Sequence, residues 1–157
     1  MPEPNRGPYR SGGPMPPRGT PSAAAPALFD PSKPDVELYD TLAERQASLL
    51  EVNSSQLRKF FGEVKELYRQ FEALTAQQSG EAVEAEIYQT RIEPRFKMLR
   101  SKVQYASRRG AQGAMSREFA TFLTSGIEKV KDHRQFRKFV LHFEAVVGFM
   151  YGSGKVK

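Results

Sequence analysis

The sequence predicts an all-α protein, a compact bundle of about five helices behind a Pro/Gly-rich N-terminal tail. Ten of the 11 prolines fall within the first 34 of 157 residues. Beyond Pro34 the apolar residues recur at i, i+3, i+4 and i+7, the spacing of one helix face. No stretch alternates apolar and polar residues as a half-buried strand does.

Residues 1–34 carry few large apolar side chains, too few to offset the entropy of ordering, so this tail is expected to be disordered. Residues 35–157 form the helical domain, long enough for one core. A first helix is expected from Asp35 to about Val52, with Leu38, Leu42 and Leu49 on one side. A second starts at Ser54 or Ser55, either a good N-cap, and turns Leu57, Phe60, Phe61, Val64, Leu67, Tyr68, Phe71 and Leu74 inward. It ends before the QQSGE stretch. A third segment runs from about Glu81 to Arg109, with Pro94 kinking or restarting it and Gly110 and Gly113 ending it. Ser116 caps a fourth helix, with Phe119, Phe122, Leu123, Ile127 and Val130 inward. Asp132 and Gln135 form a capping box for the last helix, which carries Phe136, Phe139, Val140, Phe143, Val146, Val147 and Met150. Leu141, Ala145 and Phe149 lie on its other side. A helix this apolar all round is either central to the core or pressed against another chain.

Composition narrows the function. Cysteine is absent, which removes disulfide and thiolate chemistry and fits a reducing cytoplasm. With only His133 and His142, a histidine metal site is not expected, nor is any cofactor. No apolar run approaches the ~20 residues of a membrane span. Arg6 and Arg10 are followed by Gly and Pro rather than by the apolar core of a signal peptide. The net charge of +6 is concentrated: residues 91–138 hold 13 basic and 4 acidic side chains. Such a local excess attracts polyanions.

The cations also fall in lines. Arg58, Gly62, Lys65 and Arg69 stand at i, i+4, i+7 and i+11, a stripe beside the apolar face. Lys59, Glu63 and Glu66 lie on another flank, so the stripe lacks i, i+4 acidic partners on its own helix. Gly62 costs a helix about 1 kcal/mol relative to Ala; it has a use where a phosphate chain or a neighbouring helix approaches closely. In PRFKMLRSKVQYASRRG, Phe96, Leu99, Val103 and Ala106 make the core face. Met98, Lys102, Tyr105 and Arg109, with Arg95 beside them, form a second stripe; Lys97, Arg100, Gln104 and Arg108 form a third. Tyr105 between Lys102 and Arg109 is either a stacking platform for a base or a core-edge tyrosine. Lys131, Arg134, Arg137 and Lys138 crowd the start of the last helix, where the dipole disfavours cations unless an anion binds. The candidate RNA-contacting residues are therefore Arg58, Lys59, Lys65, Arg69, Arg95, Lys97, Lys102, Tyr105, Arg108, Arg109 and Arg134. The stripe and the Arg95–Arg109 segment are expected to line one groove. Arg6, Arg10 and Arg18 in the tail are weaker candidates beside a solubilising role.

Catalytic signatures are missing. The GSGKVK ending lacks the GxxxxGK[ST] frame and follows a helix rather than a strand. His142 and Glu144 form an H-x-E with no CxxC partner. Ser116 and Ser125 have no base near in sequence, and the carboxylates are scattered rather than clustered for a two-metal site. The chain is not expected to be an enzyme.

Three motifs, SSQLRKFFGEV, VQYASRR and FRKFVLHFEAVVGFMY, resemble in that order the small-subunit family of type III-A CRISPR effector complexes (the Csm small subunit). The matching positions are Gln56–Phe60, Tyr105–Arg108 and Phe136–Ala145, within residues 54–151. The GFMY ending departs from the alanine-tyrosine pair more usual there. The resemblance implies several identical copies stacked along guide RNA and single-stranded target RNA. It also implies contacts with other subunits, with cleavage done by those subunits. Two further readings stay open: a free-standing helical nucleic-acid-binding protein and a protein-binding adaptor.

Overall fold

The structure is a computed structural model and describes residues 26–78, 80–108 and 113–157. It is helical throughout, with no strand among the described residues. The helices are α1 (Asp35–Leu38), α2 (Thr41–Leu49), α3 (Ser54–Ala76), α4 (Glu81–Ile87), α5 (Glu93–Ala106), α6 (Arg117–Lys129) and α7 (His133–Gly152), with a π-helical turn at Tyr88–Ile92 between α4 and α5.

Helix α7 is the centre. Its Phe136, Phe139, Val140, Phe143, Val146 and Met150 are buried, and Leu141, Ala145 and Phe149 are half-buried within the same chain. That decides between the two placements its all-round apolarity allowed. Phe136 meets Phe96 of α5 at 4.9 Å and Tyr88 at 5.4 Å between ring centroids. Phe143 meets Phe122 of α6 at 5.2 Å and Phe61 of α3 at 5.1 Å. Gly126 lets α6 accept the Phe139 ring of α7: a Cβ there would stand 2.8 Å from Cδ2 of Phe139.

Helices α3, α6 and α7 begin close to where the sequence places them. Ser116 accepts from Phe119 N, and Asp132 accepts from Gln135 N at 2.8 Å. Gln135 reaches back to Lys131 N, one residue before the expected cap amide. The cap of α3 is Asn53, which accepts from Gln56 N; Ser54 and Ser55 already lie inside the helix. Pro94 does restart the chain. The π turn, closed by Glu93 N donating to Tyr88 O, widens the backbone where the proline ring would meet the carbonyl four residues back. Leu74, expected inward, is exposed at the end of α3.

The first helix differs most from expectation. It breaks at Tyr39–Asp40 into α1 and α2. The buried positions of α2 are Ala43, Gln46 and Ala47, followed by Leu50, with Leu42 and Leu49 half-buried beside them. The break frees the Leu38 carbonyl, which accepts a hydrogen bond from His142 Nδ1 at 2.6 Å. Gln46 holds the incoming strand of chain, accepting from Leu28 N and donating to Pro26 O. Phe29 is fully buried, its ring 5.3 Å from that of Phe139. The core therefore claims the last part of the expected 1–34 tail; residues 1–25, with Arg6, Arg10 and Arg18, lie outside the described residues.

The Gly126→Ala protein should be about 1–3 kcal/mol less stable in urea denaturation, because the Phe139 ring is hemmed in by other aromatics and cannot yield. His142 gives a pH dependence. A carbonyl only accepts, so Nδ1 carries the proton, and Nε2 is buried without a partner. Burial pushes its pKa below the ordinary histidine value, opposed by the bond to Leu38. The unfolded chain then takes the proton more readily than the folded one. Stability is full above about pH 6.5 and falls as pH drops toward the folded value. Urea midpoints measured across this range should slope less in His142→Gln than in the parent.

Candidate nucleic-acid interface

Helix α3 begins, α5 ends and α6 begins at one end of the bundle. Gln56 Nε2 donates to Gly113 O, Ser116 Oγ donates to Glu51 O, and Met115 N donates to Ala106 O at 2.9 Å. At this end the Arg58 guanidinium folds back on Ser54, 3.2 Å from its Oγ, and remains exposed. The exposed Lys59 ammonium stands 5.6 Å from the Phe60 ring centre. Tyr105 is 73% exposed, and Arg108 lies over its ring at 5.5 Å. Lys59, Lys102 and Tyr105 line one shallow hollow with Glu63. Exposed Arg117 opens α6 nearby. It was missed in the sequence, where its only signal was a cation directly after the Ser116 cap. The arrangement offers an open aromatic face and exposed cations. Arg109 lies outside the described residues.

Other candidates point elsewhere. Lys65 turns to α7, where it pairs with Glu144 at 3.4 Å and lies 5.9 Å from the Tyr68 ring. Arg69 pairs with Glu66 on its own helix at 2.9 Å, at i, i+3 rather than the i, i+4 spacing. Lys102 pairs with Glu63 at 3.2 Å, and Arg95 donates to Gln70 Oε1 at 2.6 Å. Arg134 pairs with Glu81 at the start of α4. Lys138 pairs with Asp35 at 3.3 Å and donates to Pro31 O and Lys33 O. Arg134 and Lys138 at the start of α7 thus meet anions of this chain, whereas exposed Lys131 and Arg137 make no ion pair among the described residues. The expected single groove is only partly formed. Gly62, Arg95 and Lys102 line a furrow between α3 and α5, but Glu63 and Glu66 line it too.

Lys97 is a structural tie. Its ammonium donates to Ile127 O and, at 2.8 Å, to Val130 O, the carbonyls that end α6. Burial pushes its pKa below the ordinary lysine value, and Lys131 adds to the effect. Lys155 does the same for α2, donating to Ala47 O and Ser48 O, and Lys129 donates to Phe29 O.

A family model described as Csm2 Type III-A matches residues 33–152. The chain belongs to that family. The Csm2 family supplies a small subunit of type III-A CRISPR effector complexes, so this chain is a subunit of such a multi-subunit assembly. No curated protein and no solved structure matches it significantly. No helix among the described residues is long and apolar enough to cross a membrane.

Lys97→Met keeps the aliphatic stem and loses the tie to α6, so it should cost about 1–3 kcal/mol in chemical denaturation. Lys65→Met and Arg134→Met remove solvent-washed ion pairs and should each cost less than about 1 kcal/mol in the same measurement.

Proposed function

We propose that this chain is a non-catalytic RNA-binding subunit of a cytoplasmic type III-A interference complex acting in antiviral defence. Several copies stack along the guide RNA and single-stranded target RNA, and the exposed ends of α3 and α5 hold the strand. The observation that carries this reading is Tyr105, an aromatic residue left largely exposed, with Arg108 over its ring and Lys59 beside its hollow. Burying a tyrosine is favourable, and a core-edge tyrosine would have been covered. A ring flanked by guanidinium and ammonium groups stacks an unpaired base while the cations reach the phosphates on either side. The helix dipoles at the starts of α3 and α6 add positive potential at the same end.

The mechanism is sequence-independent grip. Stacking uses the π face that every base has, and Lys59, Arg58, Arg108 and Arg117 act on the backbone charge. Several copies in line multiply a weak single contact, because each copy bound raises the local concentration of strand for the next. Arg69, Lys97, Lys102 and Arg134 already have partners inside the chain and contribute to the general field rather than to direct contacts.

Binding of a fluorescent single-stranded RNA, titrated at several salt concentrations, tests the reading. Tyr105→Ala should weaken binding by about 1–3 kcal/mol with the salt slope unchanged. Arg108→Ala and Lys59→Ala should each lower the slope of log K against log salt by about 0.7. Lys65→Met should leave both unchanged. Unaltered affinity and slope in all three end variants would overturn the proposal.

A further inference from the structure

Nothing in the sequence from Asp35 to Leu49 breaks a helix: the stretch holds neither proline nor glycine. The chain breaks all the same, at Tyr39–Asp40. Tyr39 keeps αR dihedrals, and Asp40 leaves the helical path at φ −126° and ψ −95°. The break deprives α2 of its first hydrogen bonds. Asp40 makes no side-chain cap bond, so the first amides of α2 lack the acceptors that the carbonyls of Glu37, Leu38 and Tyr39 would supply in one continuous helix. The Leu38 carbonyl, which Leu42 N would take in that helix, accepts from His142 Nδ1 instead.

What imposes the break is the docking of residues 26–39. Among the described residues, no backbone–backbone hydrogen bond joins this segment to anything beyond Asp40. It is held by side chains that reach in from elsewhere: Gln46 from α2, Lys129 from α6, and Lys138 and His142 from α7. Two buried side chains of its own complete the grip, Leu38 and Phe29, the latter against the rings of Phe139 and His142. A segment tied in this way can leave as a unit without unfolding α2 or any helix after it.

We infer that residues 26–39 are a strap with two positions, swinging about Asp40. In the closed position, that of the structure, Phe29 and Leu38 are buried and α1 and α2 are separate. In the open position residue 40 turns helical, α1 and α2 run on as one helix, Leu42 N takes the Leu38 carbonyl, and residue 38 leaves α7. Each position satisfies what the other leaves wanting: the closed one buries apolar side chains, and the open one pairs the first amides of α2. Two packings of one sequence balanced in this way make a conformational switch. Lys129 fastens the strap at the far end of α6 from Arg117, about 18 Å along that helix, and the inference does not rest on the RNA-binding reading.

The chain has no cysteine, so an introduced thiol reports on one position. Leu38→Cys and Val64→Cys, both at fully buried sites, are made in the full chain and labelled with a soluble disulfide reagent at several low urea concentrations. Each rate is referred to the variant's own global stability from urea denaturation. Val64 lies within α3 and is reached by global unfolding, so its rate should climb steeply with urea. The thiol at 38 should label at least about tenfold faster than global unfolding allows, at a rate nearly flat in urea. Asp40→Ala and Asp40→Gly in the Leu38→Cys background test the hinge; Asp40 is exposed and caps nothing, so both should fold. Alanine favours the continuous helix and glycine opposes it, so the alanine protein should label about fivefold faster. Labelling at 38 and 64 with the same urea slope, at rates that match their global stabilities, overturns the strap. Labelling as fast or faster with glycine at 40 than with alanine shows simple fraying of the chain end and overturns the hinge.

Discussion

The aromatic spine of α7 is the constraint on which the rest of the molecule depends. Phe136, Phe139 and Phe143 are one helical turn apart, and each meets rings from elements far away in sequence. A ring has few rotamers and a large buried area, so a layer of edge-to-face rings fixes orientation as well as distance. Because α5, α6, α3 and the Phe29 segment all take their positions from this one helix, their outward faces have fixed relations to one another. Gly126 belongs to the same constraint, since the Phe139 ring occupies the space a side chain there would need.

The spine also explains how the surplus positive charge is spent. Helices whose apolar faces converge on α7 end close to other elements, and their last carbonyls need donors. Lysine reaches them with a flexible stem and up to three hydrogen bonds; Lys97 and Lys155 are used this way, while Lys129 and Lys138 tie down carbonyls of the segment before α1. A count of cations therefore overstates the charge available to a partner. The cations left exposed without an ion pair include Arg58, Lys59, Arg108 and Arg117 at the bundle end, Arg95 in the furrow, and Arg45, Arg91, Lys131 and Arg137 elsewhere.

The long helices were legible because their signals are local. Ser116 and Asp132 cap where their residue type and spacing say they should, and the faces of α3, α6 and α7 follow from the 3.6 period. The break between α1 and α2 was not legible, because its compensation comes from His142, 104 residues away. Phe29 was lost in a proline-rich context for the same reason: one aromatic in a polar tail carries no period, and only the hollow between α6 and α7 shows where it belongs. Among the charges, periodicity gave each side chain a direction but not the neighbour waiting there. Lys65 and Lys97 were placed on stripes correctly, yet Glu144 and the end of α6 lie across a gap that only the packed helices close. Tyr105 was expected between Lys102 and Arg109, with Arg108 on another stripe; Arg108 lies over its ring because α5 ends at Ala106 and the chain there leaves the helical path.

Assembly along a strand asks two things of a small subunit, and they conflict on a single surface. Sequence-independent contact with RNA needs unpaired cations and open rings, which any anionic protein surface would also attract. Docking to another subunit needs apolar area and compensated charge, so that the wrong partners are refused. In this fold the open cations of the bundle end adjoin the paired charges of the α3–α5 furrow. Glu63 marks the border: from α3 it holds Lys102, closing off the charge of the furrow, and it lies beside the hollow that Lys59 and Tyr105 line. Removing that carboxylate would merge the two surfaces into one basic track. Glu63 therefore limits how far the open positive charge of the bundle end extends along α5.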